Sequence, residues 1–501
     1  MPIPKEILEV ERPTNTVVYA YGKNRDRYAV KERRGCRRVR RPDGTFSNVP
    51  VNGKTVGHIV GGRYVPIGGM GSVASSGFEV RDWANVALLD RLFSPVMEEL
   101  LAQYAPGDAL KIYCCALLRV AYPGIKDGEL KEAYDSSFLS VLRPGCALSR
   151  NTVSKLMSDL GKAYSRIAAF MSARAKASSA DARLLVDGTL KSDESSVNSL
   201  SDFSRKARAK GTRDISVIYC FDLERREPVC SKCYPGNMLD VTAYSDFIGS
   251  NGIKKGLIVA DKGFPSAAAS GHFEANPGLH YLNPVKRNSK LIERHSMLSF
   301  EGVLPGRPGI QWKKARCRGD AKWLYSFRDA SKAAREEADY LARAREGGSY
   351  DNADYLRRRD SFGTVCFECD LDWPPEDVWF AYSQRWEIEV VMRYYKHSLE
   401  LDETRVHSDL SVIGSEFVDF LASLLTFRLL GLLDSRKILE GMTYGKVVKK
   451  LARGKKVLAG GEWRMAKVNP STEDLYRELG LLDPLPEKKK RPRGRPRKSG
   501  V

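Results

Sequence analysis

Two short apolar runs, Arg183-Leu-Leu-Val-Asp187 and Gly256-Leu-Ile-Val-Ala-Asp261, each stop at an aspartate. Runs this brief between turn formers are too short for a helix and suit strands buried on both faces. Between them lie two more strand-like stretches, 214–221 and 228–234, and a turn, Pro235-Gly236-Asn237-Met-Leu-Asp240, that opens a helix. Strands ending in acids and interleaved with helices predict a mixed α/β sheet with its site at strand ends. Either aspartate alone is an ordinary turn former or helix cap. A functional reading needs a further acid to meet them.

The stretch 377–396 contains no Gly or Pro, and its apolar residues recur at spacings of three and four, which predicts a helix started by Pro374 and Pro375. At about 100° per residue, Tyr382, Arg385, Glu389 and Lys396 fall within about 60° of one another on that helix. Glu387 points to the other side. A carboxylate flanked by cations is commonly a solvated ion-pair stripe; the alternative is a metal-binding carboxylate between phosphate-gripping neighbours. The spacing Tyr-x2-Arg-x3-Glu-x6-Lys, four residue types over fifteen positions, favours the alternative. It matches at every position the YREK signature of bacterial insertion-sequence DDE transposases, and the chain resembles that family.

In that resemblance Asp187-x-Thr189 looks like the first catalytic position, Asp261-Lys262-Gly263-Phe264 like the second, and Glu389 like the third. The resemblance implies an α/β fold with a ribonuclease-H-like catalytic core, and two Mg²⁺ or Mn²⁺ ions per active site held by Asp187, Asp261 and Glu389. Arg385 and Lys396 would position phosphates of the cut strand, with Tyr382 a weaker phosphate donor. It also implies cut-and-paste cleavage of double-stranded DNA at terminal inverted repeats, transfer into target DNA, and a homodimer bridging two ends. Asp261 follows Asp187 by 74 residues and Glu389 follows Asp261 by 128. The second gap exceeds what a compact core needs, so an inserted domain over 265–362 interrupts the core segments 181–264 and 363–434. In some relatives the insertion is mainly β and supplies a Trp that stacks on a displaced base; Trp312 and Trp323 are open to that role or to core packing. Two alternatives stand beside the transposase reading. One is a nuclease or resolvase of the same fold that cuts without joining; the other is a catalytically idle DNA-binding protein derived from a transposase, against which an intact carboxylate trio argues.

Composition agrees with a polyanionic partner. Lys and Arg number 82 against 62 Asp and Glu, a formal net charge of +20 in 501 residues. The apolar run 417–433 is interrupted by Asp419 and Arg428 and reads as a buried helix, not a membrane span. The N-terminus lacks an apolar signal core, so a cytoplasmic, nucleoid-associated protein is expected. Ten cysteines include two pairs at chelating spacing, Cys230/Cys233 and Cys366/Cys369. Both pairs fall in strand-like segments, where residues three apart point to opposite faces and cannot share a metal.

Residues 1–80 read as a small β-rich module carrying a basic cluster from Lys31 to Arg41. Residues 81–180 read as helical, and Ser149 followed by Arg150, Asn151 and Lys155 resembles the start of a recognition helix in a helix-turn-helix. Residues 435–486 read as a partly basic helical region. The tail 487–501 is basic and lacks apolar side chains apart from Val501, which predicts disorder. Its Pro492-Arg493-Gly494-Arg495-Pro496 resembles an AT-hook, in which glycine lets the backbone press into a narrow A·T minor groove while Arg493 and Arg495 lie along its floor.

Overall fold

The computed structural model describes residues 3–22, 27–40, 46–66, 79–193, 195, 197–203, 213–238, 240–261, 263–317, 321–345, 352–384, 403–404, 406 and 408–484. Residues 1–79 with 458–462 form one compact unit, and residues 80–457 with 463–501 form another.

The first unit is an antiparallel sheet of β1 (Thr16–Tyr21), β2 (Arg27–Arg40), β3 (Phe46–Val60) and β4 (Arg63–Pro66), in that order. Alternation along β1 turns Val18 inward, where it meets Val30 and Ile59. Lys31, Arg33 and Arg34 of the basic cluster lie on β2, with the Lys31 ammonium 5.1 Å from the Tyr19 ring centre.

The second unit begins with helices α1 (Ala84–Leu101), α2 (Pro106–Ala121), α3 (Leu130–Ser136), α4 (Arg150–Lys162) and α5 (Tyr164–Ala177). The Ser149 hydroxyl caps α4 by accepting from the Thr152 amide at 3.3 Å. Its apolar residues Val153, Leu156, Met157 and Leu160 are buried, leaving Arg150, Asn151, Ser154 and Lys155 exposed.

A large sheet follows. Its first strand, β5 (Arg183–Asp193), pairs antiparallel with β6 (Asp214–Asp222), which pairs antiparallel with β7 (Glu227–Pro235). After helix α6 (Asp240–Ser250), strand β8 (Gly256–Ala260) lies parallel to the other edge of β5, and β9 (Leu279–Val285) lies parallel to β8. All five residues of β8 are buried, as a central parallel strand requires.

The stretch expected as an insertion divides differently. Its segment 279–285 is β9, a member of the central sheet. The hairpin strands β10 (Gly302–Leu304), β11 (Arg307–Arg316) and β12 (Trp323–Asp329) then extend the same sheet through β13 (Thr364–Cys369), which pairs antiparallel with β9. After β12 come the charged helical segments α7 (Ala330–Arg345) and α8 (Asn352–Arg359). Helix α9 (Pro375–Ser383) follows β13, β14 (Glu403–Thr404) pairs parallel with β5 at Ser192 and Asp193, and α10 (Asp409–Ser435) closes the core.

Helix α10 is long and apolar enough to span a membrane, but 78% of its apolar window is buried inside the protein. It crosses α4 at glycines: a Cβ on Gly161 would stand 2.0 Å from the Leu410 carbonyl oxygen, and one on Gly414 2.0 Å from that of Met157. Only hydrogen at both positions permits this approach of two backbones.

Candidate functional site

The parallel register of β5 and β8 sets Arg183 beside Leu257, Leu184 beside Ile258, Leu185 beside Val259 and Val186 beside Ala260. The register ends at that pair, and Asp187 and Asp261 are the next residue after it on each chain segment. Two aspartates separated by 74 residues in sequence thus each follow directly on a strand of one parallel pair. Both are half-buried.

Asp187 was expected at a strand end, but β5 continues to Asp193 because β6 pairs with it from Leu184 to Ser192. The break lies on the other edge. There, among the described residues, β5 pairs with β8 through Val186 and next with β14 at Ser192.

Local contacts fix the two aspartates. The Gly188 amide donates to Asp187 Oδ1 at 2.9 Å, and the Phe264 amide donates to the Asp261 carbonyl at 2.8 Å, closing a tight turn. The buried Phe264 ring sits 5.3 Å from that of Tyr244 on α6 and lies over Gly188, where an added Cβ would be 3.3 Å from its Cζ. A Cβ on Gly263 would stand 2.9 Å from Oδ2 of Asp240, the first residue of α6. Sequence reasoning treated Asp240 only as a helix start; the structure brings its carboxylate against the Asp261 turn. Thr189, two residues after Asp187 and on its strand face, is buried, and its hydroxyl has no hydrogen-bond partner among the described residues.

Leu185, Leu257 and Val259 share one core cluster with Phe327, Phe367, Val378 and Ala381, whereas Leu184, Val186, Ile258 and Ala260 belong to another. By alternation, Asp187 and Asp261 therefore point to the face that α9 covers. Trp379 packs 5.2 Å from Phe327, Tyr382 packs 4.3 Å from Phe367, and the Arg183 guanidinium lies 5.2 Å from the Phe380 ring. The structure so places Tyr382 on the aspartate face. Arg385, Glu389 and Lys396 lie outside the described residues, as do Arg493 and Arg495 of the tail. The chain between is bracketed by α9 at Ser383 and by β14 on the flank of β5.

Behind the site, Lys191 is 2% exposed on the same strand face as Asp187. Its ammonium donates to Glu416 and, at 2.8 Å, to Asp419, both on α10, and Arg119 of α2 joins Asp419 to Asp127. Burial alone would raise the Asp419 carboxyl, but Lys191 and Arg119 hold it below the ordinary carboxylate range. The same carboxylates hold the Lys191 ammonium protonated against its burial.

Cys366 and Cys369 face different clusters on β13, and burial pushes both thiols up to about 12, which suits neither chelation nor nucleophilic attack. Trp312 donates to the Val303 carbonyl at 3.2 Å, and Trp323 lies under the Lys314 ammonium at 4.6 Å. Among the described residues no three His, Cys, Asp or Glu side chains gather as a metal site. Asp187, Asp261 and the Thr189 hydroxyl, which has no hydrogen-bond partner among the described residues, are hard oxygen donors of the kind a divalent cation takes.

Residues 179–413 match a family model described as the transposase DDE domain. A solved piggyBac transposase synaptic complex with hairpin DNA is similar at a TM-score of 0.41 and 11% identity, over 74% of this chain and 79% of that one. No curated protein sequence matches significantly.

Proposed function

We propose that this chain, a transposase whose DDE domain spans residues 179–413, cuts DNA at the ends of an insertion sequence with Asp187, Asp261 and Glu389 and joins those ends to a target. The enzyme is a DNA-cleaving and strand-transferring transposase, and DNA is its substrate. What supports the residue assignment is the β5/β8 register, which runs to Val186 and Ala260, the residues just before Asp187 and Asp261, with Leu185 and Val259 in the cluster that α9 joins. Helix α9, which ends at Ser383, packs on the face of Leu185 and Val259. The strand order β7-β6-β5-β8-β9, three antiparallel strands followed by two parallel ones, is the reason for reading the core as ribonuclease-H-like.

Two divalent ions, Mg²⁺ or Mn²⁺, would be held by Asp187, Asp261 and Glu389; when bound they activate an attacking oxygen and stabilise the leaving one. The chain's own residues supply the remainder. Half-burial of the aspartates beside buried Thr189 limits water around their carboxylates, which strengthens their hold on cations. Arg385 and Lys396, in the YREK spacing of bacterial insertion-sequence enzymes, would grip phosphates of the cut strand, with Tyr382 at the mouth of the same face. The exposed start of α4 and the Arg493/Arg495 tail would hold the element ends and A·T-rich minor groove, and two chains would bridge two ends.

The test is cleavage of a duplex carrying the inverted repeats that flank the gene, in Mg²⁺. Asp187→Asn, Asp261→Asn and Glu389→Gln should each abolish cutting while binding persists. Retained cutting by any of the three refutes that residue's assignment.

A further inference from the structure

We propose a second DNA contact on the extension of the sheet: a basic groove that grips the phosphate backbone of duplex DNA away from the scissile position. The groove, 1060 Å³, lies between the turn after β9 and the helices α7 and α8. Five cations line it, Arg287, Lys290, Arg343, Arg357 and Arg358, against two carboxylates, Glu293 and Glu336. All five cations are exposed. Ile292, Leu298, Tyr340 and Phe362 also line it, but the excess of cations over carboxylates suits a polyanion, and its volume exceeds what one small anion fills.

Its wall is fixed. Arg287 donates to the Thr364 carbonyl at 2.9 Å and to Glu336 at 3.0 Å, and the Gly363 amide donates to the other Glu336 oxygen at 2.9 Å. Asp354, just outside, bridges Arg357 and Arg358 and sets both guanidinium groups along one edge. Lys290 and Arg343 line it from two elements, the short helix Lys290–Arg294 and α7 near its end. Such a row matches a backbone that carries one charge per about 1.7 Å of duplex.

The groove's position gives it a separate task. Ile292 in its lining belongs to a cluster with Leu324 and Cys366, residues that alternate along β12 and β13 with Tyr325 and Phe367 of the aspartate face. DNA held here is therefore not the strand between Asp187 and Asp261 but a segment further along the duplex. This inference rests on the transposase reading for its choice of DNA as the polyanion.

The experiment measures binding of the full chain to two duplexes, one ending a few base pairs past the cleavage site and one extended by about two helical turns, as a function of salt. Lys290→Ala with Arg343→Ala, both at exposed positions, should lower the salt slope on the long duplex by about 2. Affinity for it should fall at least tenfold near physiological salt, with little change on the short duplex and an unchanged cleavage rate at saturating DNA. An unchanged slope on the long duplex, an equal loss on both duplexes, or displacement of DNA by millimolar inorganic phosphate through these two residues overturns the proposal. If the wild-type chain fails to cut DNA but the slope still falls, the groove stands and the catalytic assignment fails instead.

Discussion

Replacing Lys191 with Met keeps the length of the side chain and removes its charge, which isolates the ion pairs behind the site. Lys191, Glu416 and Asp419 are 2–3% exposed, and Lys191 and Arg119 are the cations set against Glu416, Asp419 and Asp127. In Lys191→Met, Asp419 keeps Arg119, but Glu416 loses its ammonium partner in a buried place. Breaking a buried pair from one side costs roughly 3–5 kcal/mol, because the remaining charge stays desolvated. The retained Arg119 puts the expected cost toward the lower end of that range. With a urea dependence of about 3 kcal/mol per molar, the unfolding midpoint of the second unit, followed by circular dichroism, should fall by about 1 M. Lys191→Met with Glu416→Gln should recover at least half of the loss, since the buried carboxylate charge is removed together with the ammonium that faced it. Because Lys191 and Asp187 share a strand face, cleavage by the single variant should also slow below its unfolding midpoint. A loss under 1 kcal/mol, as for an exposed pair, or a double variant no more stable than the single one, would falsify the account of this cluster.

Three further outcomes follow from the geometry. Gly414→Ala gains about 1 kcal/mol of helix propensity but drives a Cβ to within 2.0 Å of the Met157 carbonyl oxygen, so thermal unfolding should show a net loss; an unchanged or raised midpoint refutes the close crossing. Asp419, held below its ordinary value of 3.8, contributes stability that is present above that value and lost as pH falls through the lowered one. Acid unfolding of the second unit should begin below about pH 4, and onset at higher pH in Lys191→Met is the check. Asp240→Asn, beside the Asp261 turn, should raise the divalent-ion concentration for half-maximal cleavage by about 10–100-fold with the maximal rate recovered at high ion, and an unaltered ion dependence would remove Asp240 from the site.

The two aspartates were legible because apolar runs this short, buried on both sides, leave few places for an acid except where a strand meets an opening. Burial of all of β8 agrees with a strand covered on both faces before Asp261, whereas β5 runs on past Asp187. The continuation of β5 through Lys191 to Asp193 was not legible. Its polar side chains look like a turn until α10, more than 200 residues later, supplies the carboxylates that satisfy Lys191. The fate of 265–362 was hidden for a related reason. Strands β10 to β12 are ordinary half-buried hairpin strands by pattern, and only the pairing of β13 with both β9 and β12 reveals that they lengthen the central sheet. Asp240 was missed because a helix-opening acid is a common cap, and its approach to Gly263 depends on a turn whose position sequence does not specify.

Alternation across this one sheet also separates tasks in a way that constrains the reaction. On β5 and β8 the residues on one side of each aspartate, Val186 and Ala260, join the cluster under α6, while Leu185 and Val259 join that under α9. A one-residue slip of β8 against β5 would exchange those clusters, bury the second aspartate among apolar side chains and turn Ala260 toward the opening. The site is therefore protected by the core itself: every apolar contact that stabilises the parallel pair also fixes which way the carboxylates point. The same pleat, carried through β9 and β13 to β12, leaves the groove cations on the side away from the aspartates. A DNA segment that met both places would have to pass the sheet rather than lie on one side of it, so the proposed groove contacts would retain the duplex without entering the chemistry proposed for Asp187 and Asp261.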